Sequence, residues 1–133
     1  MWHGMRVPSF RKPAGMKYPK AYADTLDIQN ADSAEKKHAM YLFNCAQRAH
    51  ANYLENHPSA VIAMLIAGIQ YPIASAVTGA LWMACRLIYA VGYTRSDKTD
   101  ATGRLWGTPH SFIQLGLYFM MAWTGYQMIS QRR

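Results

Sequence analysis

Charge is what long parts of this chain lack. Between Pro58 and Thr94 the only charged side chain is Arg86, and between Leu105 and Gln131 there is none. A bilayer core about 30 Å thick is crossed by roughly 20 apolar residues in a helix, and both stretches exceed that. Tyr71-Pro72 punctuates the first stretch, which is long enough for more than one crossing. Cysteine is also scarce. Cys45 and Cys85 lie in apolar, helical surroundings without CxxC spacing, which excludes a disulfide framework and a zinc or dithiol site of that kind. His3, His38, His57 and His110 show no metal spacing with a third ligand, so no metal is expected. The apolar runs lie well inside the chain, so none reads as a cleavable signal peptide. Internal repeats and low-complexity tracts are missing too.

What is present is unevenly distributed. The chain has 133 residues, room for one domain, and a formal net charge of +7. Its mean hydropathy of −0.15 averages a polar head with an apolar body. The positive charges cluster in the head and in one short loop, without the aromatic interleaving of a nucleic-acid face, so no nucleic-acid partner is expected. Positive flanks of membrane helices explain them.

Residues 1–31, with Pro8, Pro13 and Pro19, read as a basic, mostly irregular N-terminal segment, and residues 32–133 as the transmembrane domain. Asp32 is expected to cap a helix, with Glu35 three residues on, that runs from Ser33 to about Gln70. That is nearly twice a span, so its first half should protrude or lie in the interface. Pro58 should kink it. A second helix is expected from about Ile73 to Arg95, followed by a polar loop to Gly107. Thr108 and Pro109 form a cap and first turn for a third, ending near Ile129. The expectation is thus an all-α integral membrane bundle with about three transmembrane helices. Trp82, Trp106 and Trp123 fall near span ends, as interfacial anchors do. The basic head, and Arg95, Lys98 and Arg104 in the second loop, point to the cytosol. The uncharged Gln70–Pro72 turn points away from it, and Arg132 and Arg133 weigh weakly the other way.

Two polar constellations stand out. Arg48, Asn52 and Glu55 follow i, i+4, i+7 and share a helix face, while His50 and Gln47 point elsewhere, toward a neighbour. Arg86, Tyr89 and Tyr93 follow i, i+3, i+7 on the next helix. A charge inside a membrane helix is expensive and marks a functional site by default. The bland alternative is that Arg86 pairs with Glu55 to join two helices and that the tyrosines are interfacial anchors. Together the two faces offer guanidinium groups, a carboxylate, an amide and phenols near one membrane boundary. Such an inventory suits a ligand carrying both carboxylates and an amine.

At these residues the sequence resembles the MAPEG family, membrane-associated proteins in eicosanoid and glutathione metabolism, and within it the microsomal glutathione S-transferase 3 branch of fungal type. The resemblance rests on AGMKYPKAYA (Ala14 to Ala23), FNCAQRAHANYLENHP (Phe43 to Pro58) and CRLIYAVGYTRSD (Cys85 to Asp97), and covers the last helix loosely. It implies a four-helix protomer assembled as a homotrimer in the endoplasmic reticulum membrane or the outer mitochondrial membrane. Glutathione would be the co-substrate, bound between subunits near the cytosolic side. Arg48, Asn52 and Glu55 would hold the glutathione backbone, with Arg86 alongside. Tyr89 and Tyr93 would line the same site, and His50 stands where relatives have Gln reaching from the neighbouring subunit. Arg104 is the match for the arginine that stabilises the thiolate, with Arg95 as the fallback. The implied activity is glutathione transferase or peroxidase, acting on a lipophilic electrophile or a lipid hydroperoxide dissolved in membrane lipid. The alternatives are a non-catalytic membrane binding or scaffold protein of the same family, or an inactive truncated form. One departure is large. The family's first transmembrane helix should precede AGMKYPKAYA, where only MWHGMRVPSFRKP stands, so that helix is expected to be missing.

Overall fold

The computed structural model describes residues 2–98 and 100–131 and is all-α. Five α-helices follow in order: α1 Trp2–Ala14, α2 Thr25–Gln29, α3 Ala34–Gly68, α4 Pro72–Tyr93 and α5 Pro109–Ser130. A 3₁₀ helix, Thr102–Gly107, joins α4 to α5. Helices α1, α4 and α5 all pack on α3, and α4 also packs on α5.

α3, α4 and α5 match the expected helices, with small shifts. Ser33, not Asp32, caps α3: its hydroxyl accepts from the Lys36 amide, while Asp32 reaches the Lys36 ammonium at 3.3 Å. α3 is assigned as one unbroken helix of 35 residues through Pro58, whose missing N–H cannot bond back along the ladder. Pro109 opens α5, but the Thr108 hydroxyl caps nothing and donates back to the Leu105 carbonyl at 2.7 Å. By length and composition, one described helix, α4, is apolar enough throughout to cross a membrane. α5 has the same 22 residues. The part of α3 after Ala49 is also about a span long, at roughly 1.5 Å per residue, but polar side chains interrupt both.

The head differs most from expectation. It is not irregular: α1 forms where the family's first helix was expected to be missing. Its 13 residues extend about 20 Å, short of a bilayer core. Val7 and Ala14 of α1 join Met16, Ala23, Met40 and Phe43 in one buried cluster. Arg11 is buried beside it, donating to the Lys20 carbonyl at 2.7 Å with its guanidinium over the Tyr18 and Phe43 rings. At its other end α1 reaches α4, where Arg6 donates to the Thr94 hydroxyl at 2.7 Å. Arg132 and Arg133, which bore on orientation, lie outside the described residues.

Candidate functional site

Gly92, Gly103 and Gly107 position the site's loop. A Cβ on Gly107 would collide with the Tyr89 backbone, and one on Gly92 or Gly103 with the other's carbonyl. The 3₁₀ helix therefore lies directly on the C-terminal half of α4. Ala101 opens it in the left-handed region, φ 59°, and its carbonyl accepts from the Arg104 amide at 3.2 Å. Leu105 and Trp106 point outward and are exposed. On its inner side the loop is held by close contact between glycines.

Arg104 thus stands over the Tyr93 ring, its guanidinium carbon 5.1 Å from the centroid. Tyr93 meets Tyr89 edge to face at 5.5 Å. The Arg86 guanidinium lies 5.1 Å from the Tyr89 ring centroid. Burial pushes the Cys45 thiol, in the first half of α3, above its ordinary range against the pull of the Arg104 charge. Arg95 is committed elsewhere, holding Asp97 through two hydrogen bonds of 2.7 and 2.8 Å. The Arg95 guanidinium keeps the exposed Asp97 carboxyl below the usual carboxylate range.

Arg86 is fully buried. Among the described residues it makes no ion pair with Glu55 or any other carboxylate. Its partners are neutral: Nη1 donates to Asn52 Oδ1 at 2.7 Å and lies 2.8 Å from His110 Nε2. The Tyr53, Trp82 and Tyr89 rings surround its guanidinium at 5.1 to 5.8 Å, where their π-faces attract a cation. Its Nε and Nη2 find no hydrogen-bond partner. Asn52 is half-buried by this contact, while Arg48 and Glu55 are exposed on the α3 surface. His50 faces α1 of its own chain, its ring packed where a Cβ on Gly4 would lie 3.2 Å away.

The sequence reading missed His110, His3 and Trp82. His110 reaches Arg86, and His3 stacks on Tyr53 at 4.1 Å with Nε2 at 3.3 Å from the Arg86 carbonyl. Trp82 is not an interfacial anchor: it is buried, and its Nε1–H donates to Gln114 Oε1 at 3.0 Å. A groove of about 350 Å³ lies on the opposite side of α4, lined by Leu87, Ile88, Val91 and Trp106 with Arg95 at its end. It faces away from the tyrosines.

The described residues thus form an all-α bundle with one helix long and apolar enough to cross a membrane and a buried arginine held by neutral partners. The model of the MAPEG family matches residues 1–126, and the chain belongs to that family. The match includes α1. The family's members include membrane glutathione transferases and peroxidases and are largely glutathione-dependent.

Proposed function

We propose that this chain is a membrane-bound glutathione transferase, with peroxidase activity as the related reaction, and that Arg104 stabilises the glutathione thiolate. The carrying observation is the seating of Arg104 over Tyr93, which meets Tyr89 edge to face, while the Arg86 guanidinium lies 5.1 Å from the Tyr89 ring. Arg48 and Glu55 are free to meet the carboxylates and amine of glutathione. Asn52 is shared, because its carbonyl oxygen is already taken by Arg86 and its amide N–H remains to donate. Arg86, wholly buried, orients Asn52 rather than touching the ligand. His50 would contact a ligand only through a neighbouring subunit's site in a homotrimer, and here it serves the α1 contact.

The energetics fit one arginine. A thiol with pKa about 8.5 is only a few per cent ionised at neutral pH. Lowering that value by roughly two units takes about 2.7 kcal/mol. A hydrogen bond to a charged group is worth about 1.5–3 kcal/mol. The thiol proton leaves to solvent, and the sulfur lone pair forms the bond to an electrophilic carbon whose leaving group departs. With a hydroperoxide, an S–O bond forms as the O–O bond breaks, the alkoxide takes a proton and leaves as the alcohol, and a second glutathione converts the sulfenic acid to the disulfide with loss of water. A lipophilic electrophile or lipid hydroperoxide would arrive from the bilayer, where it partitions. The microsomal membrane is the compartment this reading favours.

Two substitutions test it. Arg48→Ala is expected to weaken glutathione binding, measured by calorimetry, by roughly tenfold or more, because a charge-assisted contact is lost. Arg104→Ala is expected to keep binding but lose the ultraviolet absorbance of bound thiolate and most of the turnover. Unchanged affinity in the first, or an unchanged thiolate band in the second, refutes the respective role.

A further inference from the structure

His110 belongs to neither polar helix face, yet three elements meet on it. It is buried in the first turn of α5. Its Nδ1 lies 2.8 Å from the Gly107 carbonyl oxygen, which can only accept, so Nδ1 carries the proton. Nε2 is then the bare nitrogen and accepts from Arg86 Nη1 at 2.8 Å. The same Nη1 donates to Asn52 Oδ1. A hydrogen-bonded chain therefore runs from the end of the 3₁₀ helix through α5 and α4 to α3. The Tyr89 ring meets the imidazole edge to face at 5.3 Å and closes it from the side.

The 3₁₀ helix makes this chain consequential for Arg104. It has three residues per turn, so Arg104 and Gly107 lie one turn apart on the same side. Gly107 abuts the Tyr89 backbone, and Arg104 covers the Tyr93 ring one α-turn further along. Holding Gly107 against Tyr89 thus sets Arg104 over Tyr93.

We propose that His110 is a positioning residue for thiolate formation: its imidazole ties the Arg104-bearing 3₁₀ helix to the buried Arg86–Asn52 pair and so holds Arg104 over Tyr93. This inference rests on the proposed role of Arg104, and the experiment separates the two. His110→Asn places its amide N–H at the position of Nδ1, beside the Gly107 carbonyl, but is too short to reach Arg86. His110→Gln carries its amide oxygen to the position of Nε2, beside Arg86, and leaves the Gly107 carbonyl without its donor. Glutathione affinity, the thiolate band per bound glutathione, and turnover are measured on the full chain in detergent for wild type, both variants, Arg104→Ala and the double variant His110→Asn/Arg104→Ala.

The expected result is a weakened thiolate band and a turnover reduced roughly tenfold or more in both His110 variants, because displacement of about an ångström costs that much. Affinity should stay within about threefold, under 1 kcal/mol. In the double variant the loss should be no deeper than in Arg104→Ala alone, since the two residues act as one unit. A general packing role would lower the folded fraction and leave the band per bound glutathione unchanged. That result in either folded variant, an additive loss in the double variant, or failure of both single variants to fold overturns the proposal. A wild type that binds glutathione without a thiolate band overturns the Arg104 assignment and this inference with it.

Discussion

The two ends of α3 are packed by opposite chemistries. Around its first half, Val7, Ala14, Met16, Ala23, Met40 and Phe43 are inside, and the charged pairs Lys20–Asp24, Lys20–Asp27 and Lys36–Asp32 are outside. Around its second half more polar groups join Ala60, Trp82 and Leu117 in the interior. Arg86, His110, Gln114, Ser75 and Thr124 are buried, while Ile62, Leu65, Ile73, Leu81 and Phe119 face outward. The first arrangement is what water imposes, because removing apolar surface from water is the driving force. The second is what lipid imposes: with hydrocarbon outside, burying a leucine gains little, and close packing with interhelical hydrogen bonds holds the bundle. The Arg48–Asn52–Glu55 face lies on α3 between these two halves.

The comparison breaks most visibly at Phe43. It is fully buried in the head cluster and also seats the Arg11 guanidinium at 4.7 Å. Phe43→Ala should destabilise the fold by about 3–5 kcal/mol if water drives this cluster. Thermal unfolding in detergent, followed by tryptophan fluorescence, measures it. A cost below about 1 kcal/mol would mean that the head is packed like the rest of the bundle.

A smaller effect is expected at Gly107. A methyl group there meets the backbone of Tyr89, which cannot rotate aside. Gly107→Ala should cost about 1–3 kcal/mol by overpacking. It should also lift the 3₁₀ helix from α4, so thiolate absorbance falls further than glutathione affinity. Gly116, which has open space where its Cβ would be, is the control: Gly116→Ala should leave both readouts unchanged. Equal behaviour of the two alanine variants would refute the glycine contact as the element that seats Arg104.

Much of this fold was legible in the sequence, and the illegible parts share a cause. Stretches with no charge but Arg86, opened by Pro72 and Pro109, marked α4 and α5 to within a few residues, since length and punctuation are local signals. α1 was not legible. Pro8, Pro13, Gly4 and the three basic residues Arg6, Arg11 and Lys12 argue against a helix locally, and it forms because Val7 and Ala14 find Met40 and Phe43 on α3. Of the candidate site, the two helix faces were legible from their spacing, whereas the pairing of Arg95 with Asp97 and the seat of Arg104 over Tyr93 were not. His110 and Trp82 were not legible. A lone histidine or tryptophan in an apolar helix reads as filler or anchor until its partner is known, and their partners, Arg86 and Gln114, come from another helix. The Gly107–Thr108–Pro109–His110 run held one usable signal, a histidine one helical turn beyond a glycine that packs too closely for any side chain.

The finest test of the comparison is at Gln114, at the centre of the polar interior. Its Oε1 accepts from Trp82 Nε1 at 3.0 Å, and its Nε2 lies 2.6 Å from the Tyr118 hydroxyl and 3.2 Å from Ser59 Oγ. Leucine has a similar volume, so Gln114→Leu removes the hydrogen bonds without opening a cavity. In a water-soluble core the stranded Trp82 N–H alone would cost about 1–3 kcal/mol. In a membrane bundle the unfolded helices also find partners, and interhelical hydrogen bonds average only about 0.6 kcal/mol, at most about 1.7. Ser59 and Tyr118 keep their mutual bond of 2.8 Å in the variant, which softens the loss further. The expected cost is therefore about 0.6 kcal/mol, well below that of Phe43→Ala, when the two are unfolded under identical detergent conditions. Tryptophan fluorescence reports the same event locally, because Trp82 loses its acceptor and should shift to the blue. If Gln114→Leu proved the more damaging of the two, the polar interior would be the main source of stability, and the contrast between the halves of α3 would be one of composition without a matching difference in energetics.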